Sequence, residues 1–222
     1  MTLALDRTDG EPLPTAAPTS RVGVNAGCSI PAAALDNREL AAWIRSHGVS
    51  VTARDDHDLD LVQFHNIKAV QVVFRCGYGT DVLRRAVAVG ASRFIVSSAH
   101  HMARISECAH ATKYLHLDEA APLMLGDRRL RVVGLHTDVT EHSDVAGWSS
   151  AVQRLLARAA VLNACGATVK RITLSGGPTH MWLGADHPGA RAIADAVDRA
   201  LSDECRNWAL PRPAVTLAAL TN

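Results

Sequence analysis

Two short patterns in this 222-residue chain are of a kind that does chemistry: His116-x-Asp118 and, twenty residues on, His136-x-Asp138. In an extended strand, residues i and i+2 share a face, so each imidazole and its carboxylate would point the same way. If the two strands are neighbours, about 4.8 Å apart, the four side chains could converge. Two imidazoles and two carboxylates suit a divalent metal such as zinc, manganese or iron. Glu141 and His142 follow directly and could supply a general base or support the ligands. The plainer alternative is two hydrogen-bonded couples that satisfy polar groups in a pocket.

Other residues offer less. Ser175-Gly176-Gly177-Pro178-Thr179 could cradle an anion with backbone N–H groups, or be an ordinary strand-to-helix turn. His100 and His101 read as the first turn of a helix rather than as a ligand pair. Cys28 and Cys76 could be thiol nucleophiles, although a small buried residue is the commoner fate of cysteine. His180, Met181 and Trp182 would either cap the pocket or anchor a loop.

The elements that must hold these residues are eight β-rich runs: 21–26, 49–53, 70–76, 93–98, 113–117, 130–139, 169–174 and 214–219. Helical spacing of apolar residues lies between several of them. In 37–47 the face is Leu40, Trp43 and Ile44; in 80–89 it is Val82, Leu83, Ala86 and Val87; 144–165 and 188–205 are longer. Gly48, Gly90 and Gly166 stand where helices should stop. Strands alternating with helices imply an α/β fold with a parallel sheet, and eight units favour closure into a single (β/α)8 TIM-type barrel over an open doubly wound sheet. Residues 1–20 are Pro-, Thr- and Ala-rich without periodicity and read as a flexible N-terminal tail; residues 21–222 form the barrel. Leu115, Leu117, Leu135 and Thr137 should then face the helices while both His–Asp pairs face the mouth.

A formal net charge of +1 carries no electrostatic footprint for nucleic acid. No stretch is long and apolar enough to cross a membrane and no export signal is legible, so the expectation is a cytoplasmic protein. Five scattered cysteines without a CxxC pair read as reduced thiols.

Three passages carry a resemblance. Residues 70–98 (VQVVFRCGYGTDVLRRAVAVGASRFIVSS), 130–144 (LRVVGLHTDVTEHSD) and 172–179 (ITLSGGPT) resemble, in order and spacing, the barrel of the fold-type III, pyridoxal-phosphate-dependent amino-acid decarboxylases, such as ornithine and diaminopimelate decarboxylases. In that family the second passage reads G-L-H-x-H-x-G-S and the third is the L-D-x-G-G-G phosphate loop. The resemblance implies an amino-acid-like or anionic ligand and a phosphate loop at Ser175, Gly176, Gly177 and Thr179. The departures fall on the chemistry. The family holds its cofactor as an imine on a lysine ending the first strand. That position falls near Ala33 or Cys28 here, and the three lysines, Lys68, Lys113 and Lys170, all open later strands. Asp138 replaces the histidine that stacks on the cofactor, Thr140 and Glu141 replace the Gly-Ser pair, and His116 stands where an arginine is expected. The loop between the fifth and sixth strands is shorter, and the Glu-Pro-Gly-Arg segment and the C-terminal β-domain are not seen.

The leading expectation is therefore a degenerate, decarboxylase-like barrel without a Schiff-base lysine, repurposed for a lyase-type reaction on a small amino-acid-like molecule or catalytically silent. The alternatives are a metal-dependent lyase or hydrolase using His116, Asp118, His136 and Asp138, a decarboxylase completed by a partner subunit that supplies the missing domain and lysine, and a non-catalytic binding protein; a homodimer is also open.

Overall fold

A computed structural model describes residues 26–77, 79–123, 127–140, 144–183 and 187–220. Eight parallel strands close into a barrel in sequence order: β1 (Ala26–Pro31), β2 (Ser50–Ala53), β3 (Val72–Arg75), β4 (Arg93–Val96), β5 (Lys113–Asp118), β6 (Leu130–Asp138), β7 (Arg171–Ser175) and β8 (Ala214–Ala218). The ring is shut by β1 against β8, with Cys28 opposite Leu217. Around it stand α1 (Arg38–His47), α2 (Asp56–Phe64), α3 (Thr80–Ala88), α4 (Ala99–Cys108), α5 (Val145–Ala164), the short α6 (Thr179–Leu183) and α7 (Pro188–Asn207). None of these helices is long and apolar enough to cross a membrane.

Local chemistry sets the helix ends. The Asn37 side chain accepts from the amides of Glu39 and Leu40 to start α1, and Gly48, at φ 69°, ends it in the left-handed conformation that side chains disfavour. Asp55, Ser98 and Asp144 cap α2, α4 and α5 in the same way. The core lies between the rings. Outward-facing Ile30, Val51, Phe74, Phe94, Leu115, Leu117, Leu135, Ile172 and Leu217 are buried, as are Leu59, Leu83, Ile105, Leu155 and Leu201 from the helices.

The strand expected at 21–26 extends past its expected end: Ala26–Pro31 is strand β1, while residues 21–25 and the proposed tail lie outside the described residues. Among the described residues no helix joins β5 to β6, where the sequence is short.

The inside of the barrel is mostly polar and small, with Val73 and Ile95 as apolar members. Alternation places Ser29, Thr52, His116, Gly134, His136, Thr173, Ser175 and Thr216 there, where most such barrels pack branched aliphatic side chains. The hydroxyls of Ser29 and Thr52 meet at 2.9 Å, and Ser175 Oγ lies 2.9 Å from His136 Nε2.

Candidate functional site at the barrel mouth

The C-terminal strand ends bring together Arg75 from β3, Asp118 from β5, His136 and Asp138 from β6, and Ser175 from β7. Register explains why: Asp118 lies opposite His136, and Asp138 opposite Ser175. His136 has no exposure to solvent. Its Nδ1 lies 3.7 Å from Asp118 Oδ1, and its Nε2 3.6 Å from Asp138 Oδ1. Arg75 completes the group. Its Nη1 donates to Asp138 Oδ1 at 3.0 Å and its Nη2 to Asp138 Oδ2 at 2.5 Å, with Asp118 Oδ2 3.7 Å from Nη2. Burial pushes the Asp118 carboxyl up, but His136, the Glu119 amide and Arg75 outweigh it and hold it below the usual carboxylate range.

Helix α5 fixes the backbone that carries Asp118. Arg158 donates through Nη1 to the carbonyls of Asp118 and Glu119, both at 2.7 Å, and through Nη2 to that of Ala121 at 2.7 Å. Arg154 Nε donates to Glu119 Oε1 at 2.5 Å, and Thr137 Oγ1 to Glu119 Oε2 at 2.7 Å. Thr137 thus faces the helices, as its strand parity requires.

The expected quartet of metal ligands is corrected in one member. His116, two residues before Asp118 on β5, lies one layer deeper, and the β5–β6 register sets it opposite Gly134 while Asp118 stands opposite His136. Its ring presses on that glycine so closely that a Cβ there would fall 2.6 Å from Nδ1. Among the described residues no carboxylate lies within ion-pair reach of His116 and its buried Nδ1 has no hydrogen-bond partner. Burial first, then the positive charges of His136, Arg93 and Arg171, pushes its pKa down to about 3. Asp118, His136 and Asp138 do converge, but the Arg75 guanidinium already stands between the two carboxylates as their cation. Among the described residues no group of three or more His, Cys, Asp or Glu side chains is arranged to hold a metal ion. Glu141 and His142 lie outside the described residues.

Beside this group a cavity of about 520 Å³ opens between the ends of β3, β4 and β5, lined by Arg75, Asp118, Ser97, His100 and His101 among others. His101 Nδ1 accepts from the Ser97 amide at 3.4 Å, which leaves the proton of a neutral ring on Nε2. Burial holds the His101 pKa below its ordinary value, with His100 adding to that and a hydrogen bond involving the Gly77 backbone opposing it. The imidazole is therefore neutral near pH 7. Cys76 also lines the cavity, but burial pushes its thiol up to about 12, as it does that of Cys28, and neither is a ready nucleophile.

Several groups of the Ser175–Thr179 turn are already engaged in the fold. Ser175 is taken up by His136. The Gly176 amide donates to the Ala218 carbonyl at 2.8 Å, and its carbonyl accepts from Trp182 Nε1 at 2.7 Å. A Cβ on Gly176 would meet Trp148 at 2.7 Å, and one on Gly177, whose φ is 68°, would meet Met181 at 2.2 Å. Thr179 opens only the five-residue α6. The Gly176 amide, with its hydrogen bond to Ala218 already made, is not free to hold an anion.

Nor do the residues at the mouth fit a cofactor held as an imine. Lys113 is buried and donates Nζ to the Ala91 carbonyl at 2.8 Å. Lys68 lines a cavity with Ser50 and Arg93 at the opposite end, and Lys170 precedes β7 beside a groove outside the barrel. The inward positions of β1 are Ser29 and, by alternation, Pro31. Cys28 faces the opposite way from Ser29, and Ala33 sits in the exposed 3-10 turn after the strand.

The fold is that of the barrel of the fold-type III decarboxylases. Diaminopimelate decarboxylase from M. jannaschii is 14% identical with a TM-score of 0.73, over 90% of this chain and 55% of that one. Lysine/ornithine decarboxylase from Vibrio vulnificus, solved with putrescine, is 14% identical at 0.71, over 91% and 58%. The Paramecium bursaria Chlorella virus arginine decarboxylase is 12% identical at 0.68, over 87% and 57%. At such identity the likeness is one of fold, and this chain spans little more than half the length of those proteins. No family model and no curated protein matches the sequence.

Proposed function

We propose that this barrel binds a small amino-acid-like molecule in the cavity beside Arg75 and Asp118, and that any reaction it runs there is lyase-type acid–base chemistry without an imine. The observation that carries the reading is the pairing of a guanidinium and a low-pKa carboxylate on one cavity wall. A zwitterion complements that wall: its carboxylate meets Arg75, and its ammonium meets Asp118. His101 and Asp118 line the same cavity and would both face the bound molecule. His136, closed off from solvent, acts as a positioning residue that keeps Asp118 and Asp138 in place. The fold supports an amino-acid-like ligand by analogy, since the structures it matches include one with L-lysine and one with agmatine.

A thermal-shift comparison tests this with three sets of probes: amino acids, the amines that lack their carboxylate, and the acids that lack their amine. The expected result is that Tm rises only with molecules that carry both groups. An equal rise with the amines alone, or no rise with any probe, overturns the reading.

A further inference from the structure

The opposite, N-terminal end of the barrel gathers positive charge with no acid to balance it. A cavity of about 270 Å³ there is lined by Arg45, Ser46, Gly48, Ser50, Lys68, Val70, Gln71 and Arg93, three of them cationic and none acidic. Its wall is firmly held: the buried Gln71 side-chain amide donates to the carbonyls of Ile44 and Val49, both at 3.0 Å, tying the end of α1 to the start of β3. Arg93 Nη2 reaches the Val70 carbonyl at 2.5 Å and Ser50 Oγ at 3.3 Å, while its buried Nε has no partner. Arg171 faces the same end of the barrel by alternation with Thr173 and Ser175. Among the described residues no carboxylate lies within ion-pair distance of Arg45, Lys68, Arg93 or Arg171, whereas Arg75, Arg85, Arg154 and Arg212 each have one. Burial, and then the charge of Arg171, lowers the pKa of Arg93, so the like charges oppose one another.

A cavity with cations on several sides, a hydroxyl on its wall and an unsatisfied buried guanidinium nitrogen calls for a compact anion with several acceptor oxygens. Phosphate-class oxyanions match this best, because they offer oxygens in several directions to a guanidinium, an ammonium and a hydroxyl at once. We propose that this cavity is a binding site for a phosphate-class oxyanion, held by Arg93, Lys68 and Ser50 within the field of Arg45 and Arg171. The oxyanion is either free phosphate or the phosphate of a larger molecule, and the cavity is open to both.

The test is equilibrium binding of inorganic phosphate to the full chain, by calorimetry and by Tm, against sodium chloride at matched ionic strength. Lys68→Gln is the principal variant, since among the described residues the Lys68 side chain makes no hydrogen bond or ion pair. Arg171→Gln probes the field without touching the cavity wall. Phosphate should bind saturably and raise Tm by roughly 5 to 10 °C at about 100 times its Kd. Lys68→Gln should weaken it by about tenfold or more, the loss expected for a charge-assisted hydrogen bond. Tighter binding of glycerol 3-phosphate than of phosphate supports the site and identifies a phosphorylated molecule as its source; weaker binding supports it with free phosphate. A response no different from chloride, or an unchanged Kd in Lys68→Gln, overturns the proposal.

Discussion

His116 should give this protein a steep loss of stability on mild acidification. The ring is 4% exposed, pressed on Gly134, and held neutral in the fold with a pKa of about 3. Unfolded, a histidine titrates near 6.5. The folded pKa lies below the unfolded one, so the stability from keeping the ring neutral is fully present above about pH 6.5. It is lost as pH falls from there towards the folded value. Each pH unit in that window removes about 1.4 kcal/mol, so lowering the pH from 7 to 5 removes about 2 kcal/mol through this residue alone. Urea unfolding at pH 7, 6 and 5 in phosphate-free buffer measures the slope. His116→Gln should lower that slope by about one proton, leaving the smaller contribution of His101, which has the same sign. A ring resonance of His116 that titrates near pH 6.5 in the folded protein, or an unchanged slope in the variant, refutes the argument.

Three further outcomes are expected. Arg75→Gln leaves Asp118 and Asp138 without their shared cation. It should cost about 1–2 kcal/mol at pH 7 by denaturant titration, a figure kept modest because Asp138 is more than one-third exposed; Asp138→Asn in the same background should recover part of the loss. Gly134→Ala drives a Cβ to 2.6 Å from His116 Nδ1 and 2.8 Å from the Arg171 carbonyl, and overpacking of this kind should lower stability by about 1–3 kcal/mol. Alkylation at pH 8 followed by mass spectrometry should modify exposed Cys165 first and leave Cys28 and Cys76 untouched until the protein unfolds.

Much of the barrel was legible because its signals are local. The Arg93–Val96 and Leu130–Asp138 strands stand out by their β-branched and apolar runs, and α1 is announced by Asn37 before it and Gly48 after it. The extent of β1 through Pro31 was not legible because the small residues of Ala-Gly-Cys-Ser-Ile-Pro carry little strand signal and depend on pairing with β2 and β8. α2 was missed because its apolar positions, Leu59, Leu61 and Val62, are interleaved with acids.

At the mouth, the i, i+2 rule correctly set Asp118, His136 and Asp138 on one face. Which of His116 and Asp118 stands level with His136 depended on the β5–β6 register, whose shift between Leu115 and His116 has no local signature. Arg75 was overlooked although the same alternation, read forward from Val73, points it inward at the end of β3. Its partners Asp118 and Asp138 come from strands far along the chain, and only closure of the ring brings them to it. The cations at the opposite end escaped notice for the same reason, since Lys68, Arg93 and Arg171 each look like an ordinary strand-opening charge.

The claim that an amino-acid-like molecule is read by Arg75 and Asp118 is tested most directly by calorimetric titration of a panel of amino acids. The wild-type protein is compared with Arg75→Gln and Asp118→Asn, each first shown to be folded at the temperature used. At least one amino acid should bind the wild type, and each variant should lose about tenfold or more in affinity, as removal of one charged hydrogen-bonding partner demands. Binding that persists undiminished in both variants, or no heat from any member of the panel, would contradict the account.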